Sequence, residues 1–314
     1  MQECLFGVDV SKDKLDIACI PEQSMQCIGN CRREVSAWLK RLPAGSCVAM
    51  ESTGIYHQLL ADLAREAGMR VYVLNPKRIW HAARGDGRRG KTDRIDAQVI
   101  VKFLRDHLDQ LHEWTPGTAL QREISLLERR RHRLEQHCTA LRMMLRGLPG
   151  LDLEVTRLLE SASALRQAIA RRIESLAGQD EDIARNTRLL REIPAIGPVG
   201  SVSLATLFAR VPFARSDAVV AYVGMDVRVR DSGRSRGKRR LTKWGPAHLR
   251  RLVWLFGFSG AHTKVYKAYY DALRARGLSF TEAALVLGRR ILRIAWAVWR
   301  TGKHFDASLL ASRA

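Results

Sequence analysis

The chain has 314 residues, room for two domains or for one domain with a long insertion, and its 46% hydrophobic and 27% charged residues exclude a disordered polypeptide. Lysine and arginine outnumber the acids by 53 to 32, and the resulting formal net charge of +21 points to a polyanionic partner. No apolar stretch approaches the roughly 20 residues that span a bilayer and no basic-then-apolar leader opens the chain, so nucleic acid is favoured over membrane and a cytoplasmic, nucleoid-associated protein is expected.

In chain order, the apolar runs Leu5 to Val10 and Leu15 to Ile20 flank the polar turn Ser11-Lys12-Asp13-Lys14 and read as a hairpin. A third strand is expected near Met25 to Ile28, a helix over Val35 to Leu42, and a short buried strand over Cys47 to Met50. Tyr56 to Ala67 reads as a helix with Leu59, Leu60, Leu63 and Ala64 on one face, closed by Gly68. A strand over Val71 to Leu74 and a helix from about Thr92 to Leu104 follow. This alternation predicts a mixed α/β sheet, of which the ribonuclease-H-like fold is one example. The cysteines Cys4, Cys19, Cys27, Cys31, Cys47 and Cys138 are irregularly spaced. Cys27 and Cys31 look like half a metal site, but no second pair follows at zinc spacing, and all six read as reduced thiols.

From Leu120 the period changes. Leu120, Ile124, Leu127, Leu134, Cys138, Leu141, Leu145 and Leu148, with Arg131 filling one position, alternate steps of four and three in a heptad seam. Pro149-Gly150 breaks it, and Leu158, Ala162, Leu165, Ile169, Ile173 and Leu176 resume it. An antiparallel helical hairpin, a coiled coil with arms of about 40 Å, is predicted. It either folds on itself or serves as a dimerisation arm. The remainder reads as mostly helical, ending in the apolar helix Ala283 to Val298, with a basic, glycine-bearing stretch from Arg228 to Arg251. The expected boundaries are therefore 1–115 for the α/β domain, 116–185 for the hairpin and 186–314 for the C-terminal domain.

Asp9 ends the first strand, Glu51 ends the strand Cys47 to Met50, and Asp93 and Asp96 lie three apart on one helix face. Carboxylates cluster only where something cationic neutralises them. Strand ends that converge at one sheet edge, with a helix crossing them, would gather these four acids around one or two Mg²⁺ ions able to polarise a phosphodiester. Asp13 and Asp16 are nearby alternatives that a turn and the following strand aim less reliably. Gly85 to Thr92 fits the P-loop pattern G-x-x-x-x-G-K-[ST], but the strand that must run into it ends at Leu74 and Pro76 to Arg84 intervenes. Arg88, Arg89 and Lys91 are expected instead to touch phosphates from a basic loop.

Leu190 to Thr206 carries an apolar-glycine turn between helices that resembles a helix-hairpin-helix and would offer backbone N–H groups to a phosphate. Ser232 then stands between Arg230 and Arg234, followed by Arg236, Lys238, Arg239, Arg240 and Lys243. A serine is a weak nucleophile until its proton is removed or its product charge is stabilised, and flanking guanidiniums supply the second. Ser235 and Thr242 are nearly as good, and a plain phosphate contact is the bland alternative.

Taken together, Gly7-Val8-Asp9-Val10-Ser11-Lys12, Glu51 to Tyr56, Asn75-Pro76-Lys77-Arg78, Lys91-Thr92-Asp93-Arg94-Ile95-Asp96-Ala97, Ile193 to Pro198, Tyr222-Val223-Gly224 and Asp231-Ser232-Gly233 resemble the serine-dependent DEDD transposases of bacterial insertion sequences. These are bridge-RNA-guided recombinases, with the Piv-type invertases as relatives, and the matching segments cover essentially the whole chain. The resemblance implies a RuvC-like domain with Asp9, Glu51, Asp93 and Asp96 as metal-binding acids, a long helical hairpin, and a transposase domain whose nucleophile is Ser232. It implies serine attack on DNA through a covalent phosphoserine link supported by Mg²⁺. It also implies a homo-oligomer, dimer or tetramer, with acidic site and serine drawn from different subunits, and a structured guide RNA pairing with donor and target DNA. Ala195 departs from the family's usual Pro-Gly-Ile-Gly, and Trp244 stands where a small residue is common. The alternatives are a RuvC-like hydrolytic nuclease, perhaps a junction resolvase, and a non-catalytic nucleic-acid-binding protein.

Overall fold

The polar turn after β1 (Leu5–Val10) folds β2 (Lys14–Ile20) back antiparallel, and β3 (Met25–Gly29) reverses again to pair antiparallel with β2. Ser11 closes that turn: its Oγ accepts from the Lys14 N–H at 3.1 Å and donates to the Lys14 carbonyl at 2.8 Å. After α1 (Arg32–Leu39), β4 (Cys47–Glu51) joins β1 in parallel, and after α2 (His57–Glu66), β5 (Arg70–Leu74) joins β4. The strand order β3-β2-β1-β4-β5, in which β2 alone runs antiparallel to the other strands, is the ribonuclease-H-like arrangement. Helices α3 (Pro76–Gly85) and α4 (Asp93–His107) complete this unit. The computed structural model describes residues 4–52, 54–85, 93–228, 231–232, 235–236 and 239–311, with backbone alone at 82–85, 93–95, 231, 232, 235, 236, 309 and 311.

The period-2 alternation of the strands decides which helix covers which face. Phe6, Val8, Val10, Leu15 and Ile17 pack with Val35, Trp38, Leu60 and Leu63 on one side. Leu5, Ala18, Cys47, Ala49 and Tyr72 pack with Ala97, Ile100 and Leu104 of α4 on the other. Both faces are covered, as a sheet with parallel strands requires. Gly7 is the point of closest approach: a Cβ there would lie 2.3 Å from the Val101 nitrogen and 2.6 Å from the Ala97 carbonyl oxygen.

The chain divides into two compact units, Met1–Pro116 and Gly117–Ala314. The second begins with the helical hairpin, α5 (Ala119–Met144) and α6 (Asp152–Ala177), each of 26 residues. Thr118 and Gln121 form a capping box at its start. Its root is shared with the body of the unit, where Ile124, Ile173 and Leu176 belong to one core with α7 (Glu181–Arg191) and α8 (Pro198–Arg210). The α6 stripe differs from the sequence expectation. Leu158 and Leu165 are 48% and 55% exposed, while Val155, Leu159, Ala162, Arg166, Ile169 and Ile173 turn inward. Glu123–Arg172 and Glu135–Arg166 pair across the hairpin.

Helix α8 is buried from Gly200 to Phe208 and forms the axis of the unit. After α9 (Ser216–Tyr222) come four two-residue strands, β6 (Val227–Arg228), β7 (Asp231–Ser232), β8 (Ser235–Arg236) and β9 (Arg240–Leu241), then α10 (Ala247–Gly260), α11 (Lys264–Ala275), α12 (Phe280–Thr301) and α13 (Ser308–Ala311). Helices α10 and α12 cross backbone to backbone at Gly257 and Gly288. Among the described residues, no helix is long and apolar enough to cross a membrane, and none of the six cysteines is in a disulfide.

Candidate functional site

Asp9 follows Leu5 and Gly7 on the α4 face of β1. The β1–β4 register pairs Val8 with Met50, so Asp9 and Glu51 occupy the next step of two neighbouring strands, on the face of Leu5, Cys47 and Ala49. Both are half-buried. On α4, Asp96 lies one turn before Ile100 and Asp93 one turn before Ala97, extending the two buried stripes that pack on this face. Asp96 is half-buried; Asp93 is described in backbone only. Asn75 starts α3, its Oδ1 accepting from the Lys77 N–H at 2.9 Å, and Arg78 lies over the Phe103 ring, 5.4 Å from its centroid, pinning α3 on α4.

The α4 face carries one more carboxylate. Asp16 is the register partner of Asp9 and is held at 3.0 Å from Oδ2 by the Lys14 ammonium. The sequence offers Asp16 only as a less reliably aimed alternative; counting residues outward from the turn Ser11 to Lys14 pairs it with Asp9. Among the described residues, no three His, Cys, Asp or Glu side chains are drawn close enough to hold a metal ion. Hard carboxylate oxygens, as on these strands and the facing helix, suit Mg²⁺ or Mn²⁺ rather than zinc.

The basic stretch between α9 and α10 is a nested pair of antiparallel ribbons, not a plain loop. Val227 pairs with Leu241 and Arg228 with Arg240; further out Asp231 pairs with Arg236 and Ser232 with Ser235. Ser232 therefore stands opposite Ser235, three positions on, in the second of these pairs. The base is held by backbone contact between Tyr222-Val223-Gly224 and Trp244-Gly245, where a Cβ on Gly245 would lie 2.2 Å from the Tyr222 carbonyl oxygen. Thr242, an alternative nucleophile by sequence, donates its hydroxyl to Asp226 at this base. Arg239, Arg240 and Lys243 are exposed, and Arg236 belongs to β8. Arg88, Arg89, Lys91, Arg230, Arg234 and Lys238, and the P-loop-like run apart from Gly85, lie outside the described residues. In the helix-hairpin-helix-like turn, Gly197 and Pro198 are exposed at the start of α8, and Ala195 adopts φ +75°.

A different carboxyl, not singled out by the sequence, is enclosed in the helical unit. Glu128 of α5 meets Ser203 of α8 and His248 of α10 in a small cavity also lined by Arg131, Glu135 and Arg251. Ser203 Oγ contacts both Glu128 Oε1 and the Val199 carbonyl, the latter at 2.8 Å. One hydroxyl proton cannot serve two acceptors, so the set is complete when Glu128 carries its own proton. Burial, opposed by the Ser203 hydrogen bond, pushes its carboxyl up to about 7. Burial and the nearby Arg129 lower His248 to about 4. At 3.9 Å from Glu128 the imidazole is beyond hydrogen-bond range. Glu128 and Glu135 stand one turn after Ile124 and Arg131 of the heptad seam, a spacing that by itself does not distinguish them from solvated acids.

The comparisons agree with this layout. The DEDD transposase model of the IS110 type, described as "Transposase", matches residues 6–148, and that of the "Transposase IS116/IS110/IS902 family" matches residues 187–271. The pilin gene-inverting protein of Moraxella bovis is 22% identical over 98% of this chain and 98% of its own. The "Insertion element IS110 uncharacterized 43.6 kDa protein" of Streptomyces coelicolor is 26% identical over 52% of this chain and 41% of its own. A chain of "T. thermophilus RuvC in complex with Holliday junction substrate" is 16% identical with a TM-score of 0.27, covering 34% of this chain and 96% of its own; the fold assignment rests on the strand order. With the two family models together matching most of the sequence, one on the acidic sheet unit and one on the serine-bearing helical unit, the chain belongs to the IS110-type DEDD transposases, a family of DNA recombinases.

Proposed function

We propose that this transposase cuts and rejoins DNA through Ser232, assisted by a divalent cation, Mg²⁺ by its hard-oxygen donors, held at Asp9, Glu51, Asp93 and Asp96. The observation that carries the reading is the shared face of Asp9, Glu51 and α4 at the ends of two parallel strands, where strand ends of open α/β sheets hold their ligands. When bound, the cation would polarise the scissile phosphodiester and neutralise charge growing on its oxygens. Ser232 gives up its hydroxyl proton as Oγ attacks phosphorus, one P–O ester bond breaks, and the leaving oxygen takes up a proton in exchange to become a free hydroxyl. Arg230 and Arg234 stabilise the anionic phosphorane in bidentate fashion. Reversal by another strand's hydroxyl releases the serine and rejoins the DNA without loss of bond energy.

Acids and serine lie on separate units, so an oligomer can combine the acids of one subunit with the serine of another. The net charge of +21 suits a protein that grips duplexes by their backbones while a structured RNA supplies sequence choice by pairing. The gene-inverting name of one relative makes inversion, beside insertion and excision, an outcome to assay.

The test is covalent trapping. Protein, its element's flanking noncoding RNA, Mg²⁺ and labelled junction DNA are resolved on a denaturing gel beside Ser232→Ala. A shifted band absent from the variant is expected; cleavage that persists in the variant without an adduct hands the chemistry to the acids alone, as a hydrolytic nuclease. Asp9→Asn is expected to abolish cleavage while leaving nucleic-acid affinity unchanged or raised, because it removes a charge that repels phosphate.

A further inference from the structure

Asp16 stands directly across the β1–β2 ladder from Asp9 and is only 8% exposed. Its position two residues before Ala18 puts it on the α4 face. Lys14, two residues earlier on the same face, holds it at 3.0 Å. Three adjacent strands, β2, β1 and β4, thus carry Asp16, Asp9 and Glu51 abreast. Like charges opposed across a ladder are destabilising, and a carboxylate row this enclosed needs compensating positive charge. One compensating charge, Lys14, is built into the row's edge.

We propose that Lys14 and Asp16 are a positioning pair for the acidic site: Asp16 adds an outer carboxylate that strengthens the hold of this face on a divalent cation, and Lys14 supplies the counter-charge that lets the face fold before any cation arrives. This rests on the reading that Asp9 and Glu51 hold that cation. The two members of the pair therefore act on cation affinity in opposite directions. Asp16→Asn removes attraction and weakens binding. Lys14→Met removes repulsion and tightens it, while leaving the metal-free face less stable. An ion pair that serves the fold alone would change cation affinity in neither variant.

The experiment is calorimetric titration of Mn²⁺ into the full-length protein, with Tm recorded in EDTA and in Mn²⁺. Asp16→Asn is expected to weaken Mn²⁺ binding roughly tenfold or more, the usual effect of removing a carboxylate behind a metal ligand. Lys14→Met is expected to lower Tm in EDTA and to show a larger rise in Tm with Mn²⁺ than the unaltered protein. Asp9→Asn separates the layers. If it abolishes Mn²⁺ binding while Asp16→Asn and Lys14→Met leave affinity unchanged, the positioning pair is refuted and the acidic site stands. If Asp9→Asn leaves Mn²⁺ binding untouched, the acidic-site reading falls and this inference falls with it.

Discussion

The sheet unit sets Asp16, Asp9 and Glu51 side by side on three neighbouring strands, with Lys14 against one of them. The helical unit encloses Glu128 among α5, α8 and α10, with Ser203 and His248 beside it and Glu135 in the same cavity wall. A lone buried acid can escape the penalty of burial by keeping its proton, and the rise of Glu128 to about 7 is that escape. A row of acids at strand ends has a second remedy, which is to meet a cation. The contrast is between one carboxyl enclosed among three helices and a row of carboxylates at strand ends that α4 crosses.

The largest expected effects test those crossings. A Cβ on Gly257 would lie 1.8 Å from the Ala284 carbonyl oxygen, so Gly257→Ala must part α10 from α12 and is expected to destabilise by about 3 kcal/mol or more. Gly7→Ala, with its Cβ 2.3 Å from the Val101 nitrogen, is expected to destabilise by a similar amount and also to lift the α4 acids off Asp9 and Glu51. Urea unfolding measures the first effect in both variants, and DNA cleavage per folded molecule isolates the second. Gly257→Ala should keep cleavage per folded molecule close to normal as far as it folds. Full specific activity in Gly7→Ala would show that α4 does not place the acids.

The next effect is a pH dependence. Glu128 moves from 4.5 in the unfolded chain to about 7 when folded. A raised carboxyl adds stability that is fully present below pH 4.5 and is lost as pH rises through 7. His248, lowered from 6.5 to about 4, works the other way, adding stability above pH 6.5 that is lost as pH falls through 4. The two offset each other near pH 5 to 6, so the unaltered protein conceals both. Glu128→Gln keeps the shape and a partner for Ser203 but cannot ionise. Its stability relative to the unaltered protein is expected to grow by roughly 2 kcal/mol between pH 5 and pH 7.5. Denaturation curves at the two pH values read this directly, and a constant difference would mean that Glu128 ionises normally and that its burial does not hold the proton.

What could be read beforehand follows from how local each feature is. The β1–β2 hairpin was legible because alternation and a polar turn are both contained within Leu5 to Ile20. Asp16 was within reach for the same reason, since the turn Ser11 to Lys14 already fixes its partner as Asp9. The α6 stripe was displaced because Leu158 and Leu159 lie side by side, and only the partner helix decides which of two neighbouring stripes faces inward. The short pairings around Ser232 escaped because arginine, lysine and glycine give no strand signal, and the close approach of Gly224 to Gly245 beneath Val227–Leu241 joins residues distant in sequence. Glu128 becomes unusual only when α8 and α10 close over it, which no local pattern announces.

The smallest expected effect compares one backbone conformation in the two units. The turn after α2 passes through Gly68 at φ +76°, and the turn after α7 passes through Ala195 at φ +75°. For alanine this left-handed geometry costs about 1–2 kcal/mol, whereas glycine adopts it freely but gives up roughly 0.4–1 kcal/mol of additional unfolded-chain freedom. Ala195→Gly is therefore expected to stabilise by up to about 1 kcal/mol, a few degrees in Tm, and Gly68→Ala to destabilise by as much. A Cβ on Gly68 would meet nothing within 4 Å, so that variant reports the backbone preference alone. Ala195 packs against the helical core, and its methyl contact opposes the gain. If Gly68→Ala destabilises as expected while Ala195→Gly is neutral or worse, the core contact outweighs the strain, and the alanine is held in this turn by packing.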